Sequence, residues 1–150
     1  MNDFISTLES AFHSESNLKI ASKQKAYMRN QFEFFGVKTT ERRIIQKPFL
    51  TKESLPEKTE LPTLIKILWG KPERDFQLFG QELVFKYVRN FEVKDIEMLE
   101  FMVINKSWWD TVDFIACKLM GAYFKKYPEY KNHYVDKWLY SNNIWLQRSA

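Results

Sequence analysis

Trp109 and Asp113 are the residues in this chain whose types and spacing could do chemistry. They lie four apart in the stretch Asn105-Lys106-Ser107-Trp108-Trp109-Asp110-Thr111-Val112-Asp113. On a helix that spacing is about one turn, so the Asp113 carboxylate stands beside the Trp109 indole on one face. A solvated aspartate has no need of that company. The pair offers a fixed negative charge next to an aromatic surface, and it marks a place to look for function. Other constellations are poorer. The two histidines, His13 and His133, have no cysteine cluster near them, so no metal site is expected, and nothing in the sequence calls for a cofactor.

The pair needs a helix to present it. Ser107 is a natural N-cap, and Asp110 falls in the first turn, where the positive end of the helix dipole favours it. The spacing predicts a helix from Trp108 to about Tyr127. Trp108, Val112, Ile115, Leu119 and Ala122 form its core face. Trp109, Asp113, Ala116 and Met120 form a second stripe roughly 110° round from the first.

The rest of the chain reads as more helices. Asn2–Phe12 carries Phe4, Ile5, Leu8 and Phe12 at helical spacing, and Ser14 to Asn17 breaks the pattern. A second helix is expected over Lys19–Phe34, ended by Gly36. A third is expected over Glu41–Leu50, capped by Thr39 or Thr40 and kinked or ended by Pro48. A polar connector precedes Leu61–Trp69, which Gly70 closes. Further helices are expected from Pro72 to Arg89, from Asp95 to Ile104, from Pro128 to about Leu139, and from Ile144, after a cap at Ser141-Asn142-Asn143. Gly numbers 4 and Pro 5 in 150 residues, so breakers are scarce, and aromatics make up 17%. These features predict an all-α chain. Successive helix pairs without a clean repeat suit a HEAT-like helical solenoid of antiparallel pairs better than a four-helix bundle. The last helix stops at Ala150 without a C-cap, so the expectation is one domain that is incomplete at its C-terminal side.

Composition narrows the setting. One cysteine, Cys117, cannot form an internal disulfide, which favours a reducing, cytoplasmic compartment. No apolar run is long enough to span a membrane, and no membrane partner is expected. The net charge of +4 is unevenly spread: residues 18–52 hold nine Lys or Arg against Glu33 and Glu41, and residues 53–105 hold ten acids against seven bases. Residues 106–150 return to seven bases and four acids. Two basic segments of this kind suit a polyanion such as DNA, and they equally suit solvated helix faces.

The stretch Lys106-Ser107-Trp108-Trp109-Asp110-Thr111-Val112-Asp113 resembles the signature of the AlkD-type DNA alkylation repair glycosylases, a family built from HEAT-like repeats. The likeness continues in Ala26-Tyr27-Met28-Arg29-Asn30, in Phe34-Phe35-Gly36-Val37 and in Thr39-Thr40-Glu41-Arg42-Arg43. It recurs in Trp69-Gly70-Lys71-Pro72-Glu73-Arg74-Asp75-Phe76-Gln77, Asp136-Lys137-Trp138 and Asn142-Asn143-Ile144-Trp145-Leu146-Gln147-Arg148. Threonine stands at position 40 where the family pattern has proline, and the family continues for several helices past the position of Ala150, one of which brings a further aromatic to the cleft.

The resemblance implies a bacterial, cytoplasmic and nucleoid-associated DNA repair enzyme. It implies a monomer that acts on double-stranded DNA containing N3- or N7-alkylated purines and hydrolyses their N-glycosidic bond. The lesion base is cationic and leaves readily, while the sugar gains oxocarbenium character. By motif position Asp113 is the carboxylate that stabilises that charge, and Trp109 stacks on the cationic nucleotide. The resemblance further implies DNA contacts by Arg148, near the lesion phosphates, and by Tyr27, Lys106, Arg43 and Thr39. Tyr27 reads equally well as core packing. Trp108 belongs to the core stripe, and Trp138 and Trp145 read as packing residues. With the later repeats missing, weak or absent activity is expected of these 150 residues alone. The alternative is a non-catalytic helical-repeat module that binds DNA or protein and keeps the motif.

Overall fold

The computed structural model describes residues 2–150. Its helices are α1 (Asn2–Ser14), α2 (Leu18–Tyr27), α3 (Thr39–Gln46), α4 (Leu61–Trp69), α5 (Arg74–Phe85) and α6 (Ile96–Ile104). They continue with α7 (Trp109–Phe114), α8 (Gly121–Lys126), α9 (Lys131–Leu139) and α10 (Ile144–Ser149). A π segment, Ile115–Met120, joins α7 to α8. Among the described residues, extended pairing is confined to one isolated bridge between Glu33 and Glu73. The chain is all-helical, as its periodicity predicts. No described helix is long and apolar enough to cross a membrane. Internal contacts group the chain into two units, Met1–Gly80 and Gln81–Ala150.

In the first unit the core is built by Ile5, Leu8 and Phe12 of α1, Leu61, Leu64, Ile65 and Leu68 of α4, and Phe76 and Phe79 of α5, all buried. α4 has the predicted bounds, and Gly70 caps it by donating to carbonyls of its last turn. Pro48 acts as predicted: α3 stops at Gln46, and a 3-10 turn follows over Lys47–Phe49. The cap of α3 is Lys38 rather than a threonine, with its backbone N–H donating to Glu41 Oε2 at 3.3 Å.

The expected helix over Lys19–Phe34 is the main misreading in this unit. α2 ends at Tyr27 because Arg29 and Asn30 take left-handed φ values of 55° and 61°. The apolar spacing of Phe32 and Phe35 imitates a helix face, yet their segment is irregular and buried. Tertiary partners satisfy its backbone instead. Phe35 N–H donates to Asp75 Oδ2 at 3.1 Å, Arg74 N–H to the Glu33 carbonyl at 2.8 Å, and Asn17 N–H to the Phe35 carbonyl at 2.9 Å. Gly36 therefore ends no helix. Its φ is 88°, and a Cβ there would stand 1.8 Å from the Asn17 carbonyl oxygen, so only glycine lets this crossing close.

In the second unit α6 buries Ile96, Met98, Leu99, Met102 and Val103, and Val112, Ile115 and Leu119 cover them. Trp138 is 1% exposed, and its indole N–H donates to Glu100 Oε2 at 2.7 Å, tying α9 to α6. The loop before α6 is held from α8: the Tyr123 hydroxyl donates to the Val93 carbonyl at 2.7 Å, and Lys126 Nζ donates to the Phe91 carbonyl at 2.7 Å.

The long helix expected from Trp108 departs from its wheel halfway. A π turn bonds i to i+5, so it takes in one extra residue and rotates everything downstream by about 100°. Accordingly Val112, Ile115 and Leu119 are inward as predicted, but the next inward residues are Met120 and Tyr123, while Ala122 is half-buried. Met120, expected on the stripe of Trp109 and Asp113, belongs to the core. Ser107 is not the cap either. Its hydroxyl donates back to the Val103 carbonyl at the end of α6, and Trp108, in extended conformation, occupies the cap position.

Candidate functional site

The site is assembled in the second unit from α7 and α10. α7 begins after Lys106, whose φ is 52°, a left-handed residue that turns the chain between α6 and α7. Trp109 then stands 42% exposed, and Asp113 follows one turn later with its side chain 46% exposed. On the other side of the helix Thr111 and Val112 are fully buried. The stripe therefore divides as the wheel predicts up to this point: packing on one face, and an indole and a carboxylate open to solvent on another.

α10 is a short helix with a well-made start. The Asn143 side chain accepts from Trp145 N–H at 2.9 Å and Leu146 N–H at 3.1 Å. Leu146 packs inward, and Gln147 Nε2 donates to the Ser141 carbonyl at 2.8 Å. Trp145 and Arg148, three residues apart on α10, both face α7. The Trp145 ring lies 5.9 Å from the Trp108 ring at 44°. Arg148 reaches Asp113 with both arms, Nε to Oδ1 at 2.6 Å and Nη2 to Oδ2 at 2.7 Å. Trp108 and Trp145 thus set the distance between the helices at which the ion pair closes.

The electrostatics follow from that fork. Hydrogen bonds from the Arg148 guanidinium, with its charge adding to them, hold the Asp113 carboxyl below the usual carboxylate range against a smaller opposing push from burial. The same bonds push the Arg148 pKa upward. Asp113 is therefore firmly ionised, and its charge is offset by its partner. Beyond Asp113, Ala116 borders an open groove of about 410 Å³ whose lining includes Met120, Phe124, Val135, Trp138 and the two lysines Lys125 and Lys131.

Of the residues singled out from the sequence, Asp113, Trp109 and Arg148 come together on α7 and α10, and Lys106 is exposed in the turn before α7. Tyr27, Thr39 and Arg43 lie in the first unit, Tyr27 at the end of α2 and 74% exposed, Thr39 and Arg43 exposed on α3. Core packing, the competing reading of Tyr27, does not hold. Arg42, beside Arg43, is buried and donates to Gln46 Oε1 at 2.7 Å, so it adds nothing to a basic surface. Asp113 and Arg148, expected to meet sugar and phosphate separately, are each other's partner. They are 35 residues apart on different helices, and no local spacing signals the contact.

The family model for DNA alkylation repair enzymes matches residues 8–150. A solved structure titled "Predicted DNA alkylation repair enzyme from Enterococcus faecalis" superposes with a TM-score of 0.80 at 27% identity. The match covers 90% of this chain and 63% of that one, so this chain spans less than two thirds of its length. No curated protein matches the chain. With the family model matched over nearly all of its residues, and with a helical fold shared with that structure, the chain belongs to the DNA alkylation repair enzyme family.

Proposed function

We propose that the protein acts in DNA repair as a monofunctional glycosylase that hydrolyses the N-glycosidic bond of N3- or N7-alkylated purines in duplex DNA. The observation that carries this reading is the exposed indole of Trp109 one turn from the half-exposed, ionised carboxylate of Asp113 on one helix face. An alkylated purine of this class carries a positive charge and leaves without much help from an acid. The demand on the enzyme is to stabilise the sugar as it becomes an oxocarbenium ion. A carboxylate fixed at that position favours the transition state over the ground state, because the charge it faces grows as the bond breaks. Trp109 supplies a flat face for the cationic nucleotide. Arg148 supplies a guanidinium suited to a backbone phosphate, with Lys106, Tyr27, Thr39 and Arg43 as further DNA contacts. The helices pair as HEAT-like repeats in this reading, and the protein works as a bacterial, cytoplasmic monomer.

The decisive experiment is base release from a duplex carrying N7-methylguanine, compared between the full-length protein and its Asp113→Asn variant. Release that depends on Asp113 supports the glycosylase; no release, or equal release by the variant, sinks it. One observation favours the second reading, a non-catalytic helical module that keeps the motif: the Asp113 carboxylate is already occupied by Arg148. That reading expects duplex or protein binding with no base release under any condition.

A further inference from the structure

Arg148 carries more donors than Asp113 uses. The carboxylate takes Nε and Nη2, one edge of the guanidinium, and Nη1 has no hydrogen-bond partner among the described residues. The two side chains are 51% and 46% exposed, so solvent and an arriving ligand reach the pair. Exposed ion pairs are held weakly, because water solvates each partner nearly as well as the other does. A guanidinium on a long, flexible stem can therefore change anions when a better one arrives. A phosphodiester matches its fork as a carboxylate does, and duplex DNA presents phosphates in a dense array. The open Nη1 gives such a phosphate its first hold while Asp113 still occupies the other edge.

We propose that Arg148 is a positioning residue that passes between two anions: it caps Asp113 in the free protein and moves to a backbone phosphate on DNA, which uncaps the carboxylate toward the docked nucleotide. The handover rests on reading Asp113 as the carboxylate that meets the developing charge. It makes the full negative charge of Asp113 available only where a nucleotide is present. Away from DNA the charge is cancelled, and the site does not attract stray cations. Linkage then fixes the sign of an effect that requires no catalysis. If phosphate and carboxylate compete for one guanidinium, deleting the carboxylate strengthens DNA binding, and it does so through Arg148.

The test is a double-mutant cycle on undamaged duplex DNA, with affinity measured at one low salt concentration for the wild type, Asp113→Asn, Arg148→Gln and the double variant. Asp113→Asn is expected to bind about fivefold tighter than wild type. In the Arg148→Gln background the same change is expected to give less than about twofold, the share due to removing one negative charge near a polyanion. Equal gains in both backgrounds, a loss of affinity in Asp113→Asn, or no duplex binding by the wild type would each overturn the handover. A second measurement needs no variant to fold: the Arg148 Nε–H signal of the labelled protein must move on saturation with undamaged duplex, and a signal that stays in place overturns it. The two proposals fail separately. Loss of the glycosylase reading shows as no release of N7-methylguanine with the cycle intact, and loss of the handover shows as an additive cycle with release intact.

Discussion

Two aspartates, Asp75 in the first unit and Asp113 in the second, have been put to opposite uses by their surroundings. Asp75 is 1% exposed on α5, where it accepts the backbone N–H of Phe35 and steadies the irregular segment that crosses α2. Burial raises its pKa, with the Phe35 hydrogen bond and the charge of Arg42 pulling the other way. Asp113 is half exposed, and the Arg148 fork lowers its pKa. One carboxylate spends its acceptors on holding the chain in place; the other is kept charged where a ligand can reach it. A carboxylate's role is thus set by whether its partner is immobile backbone or a side chain that can leave.

The largest effect expected within this comparison comes from the segment that Asp75 supports. Gly36→Ala combines a left-handed φ with a clash against backbone, and it should destabilise the protein by about 4 kcal/mol or more, read as loss of cooperative unfolding at ordinary temperature. Next is Asp113→Asn, expected to lower base release about a hundredfold while leaving the melting temperature nearly unchanged. A large loss of stability in that variant would make the two aspartates alike and undo the contrast. Asp75→Ala strands the buried Phe35 N–H and should cost about 1–3 kcal/mol in denaturant unfolding. Asp75→Asn keeps an acceptor and removes the buried charge, so its cost should be well below that of the alanine variant.

The smallest effect is in the pH dependence of stability, and the two residues oppose each other there. For Asp113 the native pKa lies below the ordinary 3.8. Its contribution is complete above that value and is lost as pH falls through the native pKa, when the pair with Arg148 breaks. For Asp75 the native pKa lies above 3.8, so the folded state holds the proton more tightly and stability declines as pH rises from 3.8 through the native pKa. Thermal unfolding should therefore flatten below about pH 4 for Arg148→Gln and, in the opposite direction, above about pH 4 for Asp75→Asn. Exposure keeps the Asp113 share small.

Local signals in the sequence read well wherever the structure is locally determined. α4 with its closing Gly70, the stop at Pro48, the Asn143 cap of α10 and the first half of the Trp109–Asp113 helix all rest on contacts within a few residues. The misreadings share the opposite cause. Phe32 to Gly36 is shaped by Asn17 and by Arg74 and Asp75 of α5, partners up to 40 positions away. Ser107 bonds to the preceding helix instead of the one it precedes. Within the candidate site, spacing alone singled out Trp109 and Asp113, while the Arg148 fork depends on how α10 packs on α7.

The π segment Ile115–Met120 gives the helix two angular phases. Upstream, the azimuth of Trp109 and Asp113 is locked by Val112 below and by Trp108 against Trp145. Downstream, the azimuth is locked by Tyr123 and its bond to Val93. An uninterrupted α-helix would offer a single phase and could satisfy only one of these anchors, with the other about 100° out of place. The extra residue works as a phase shifter, letting the carboxylate be aimed independently of the core that supports it. Deleting one residue from the segment would convert it to a plain α-helix and set the two anchors against each other, so the orientation of Asp113 and the seating of Tyr123 could no longer both be kept.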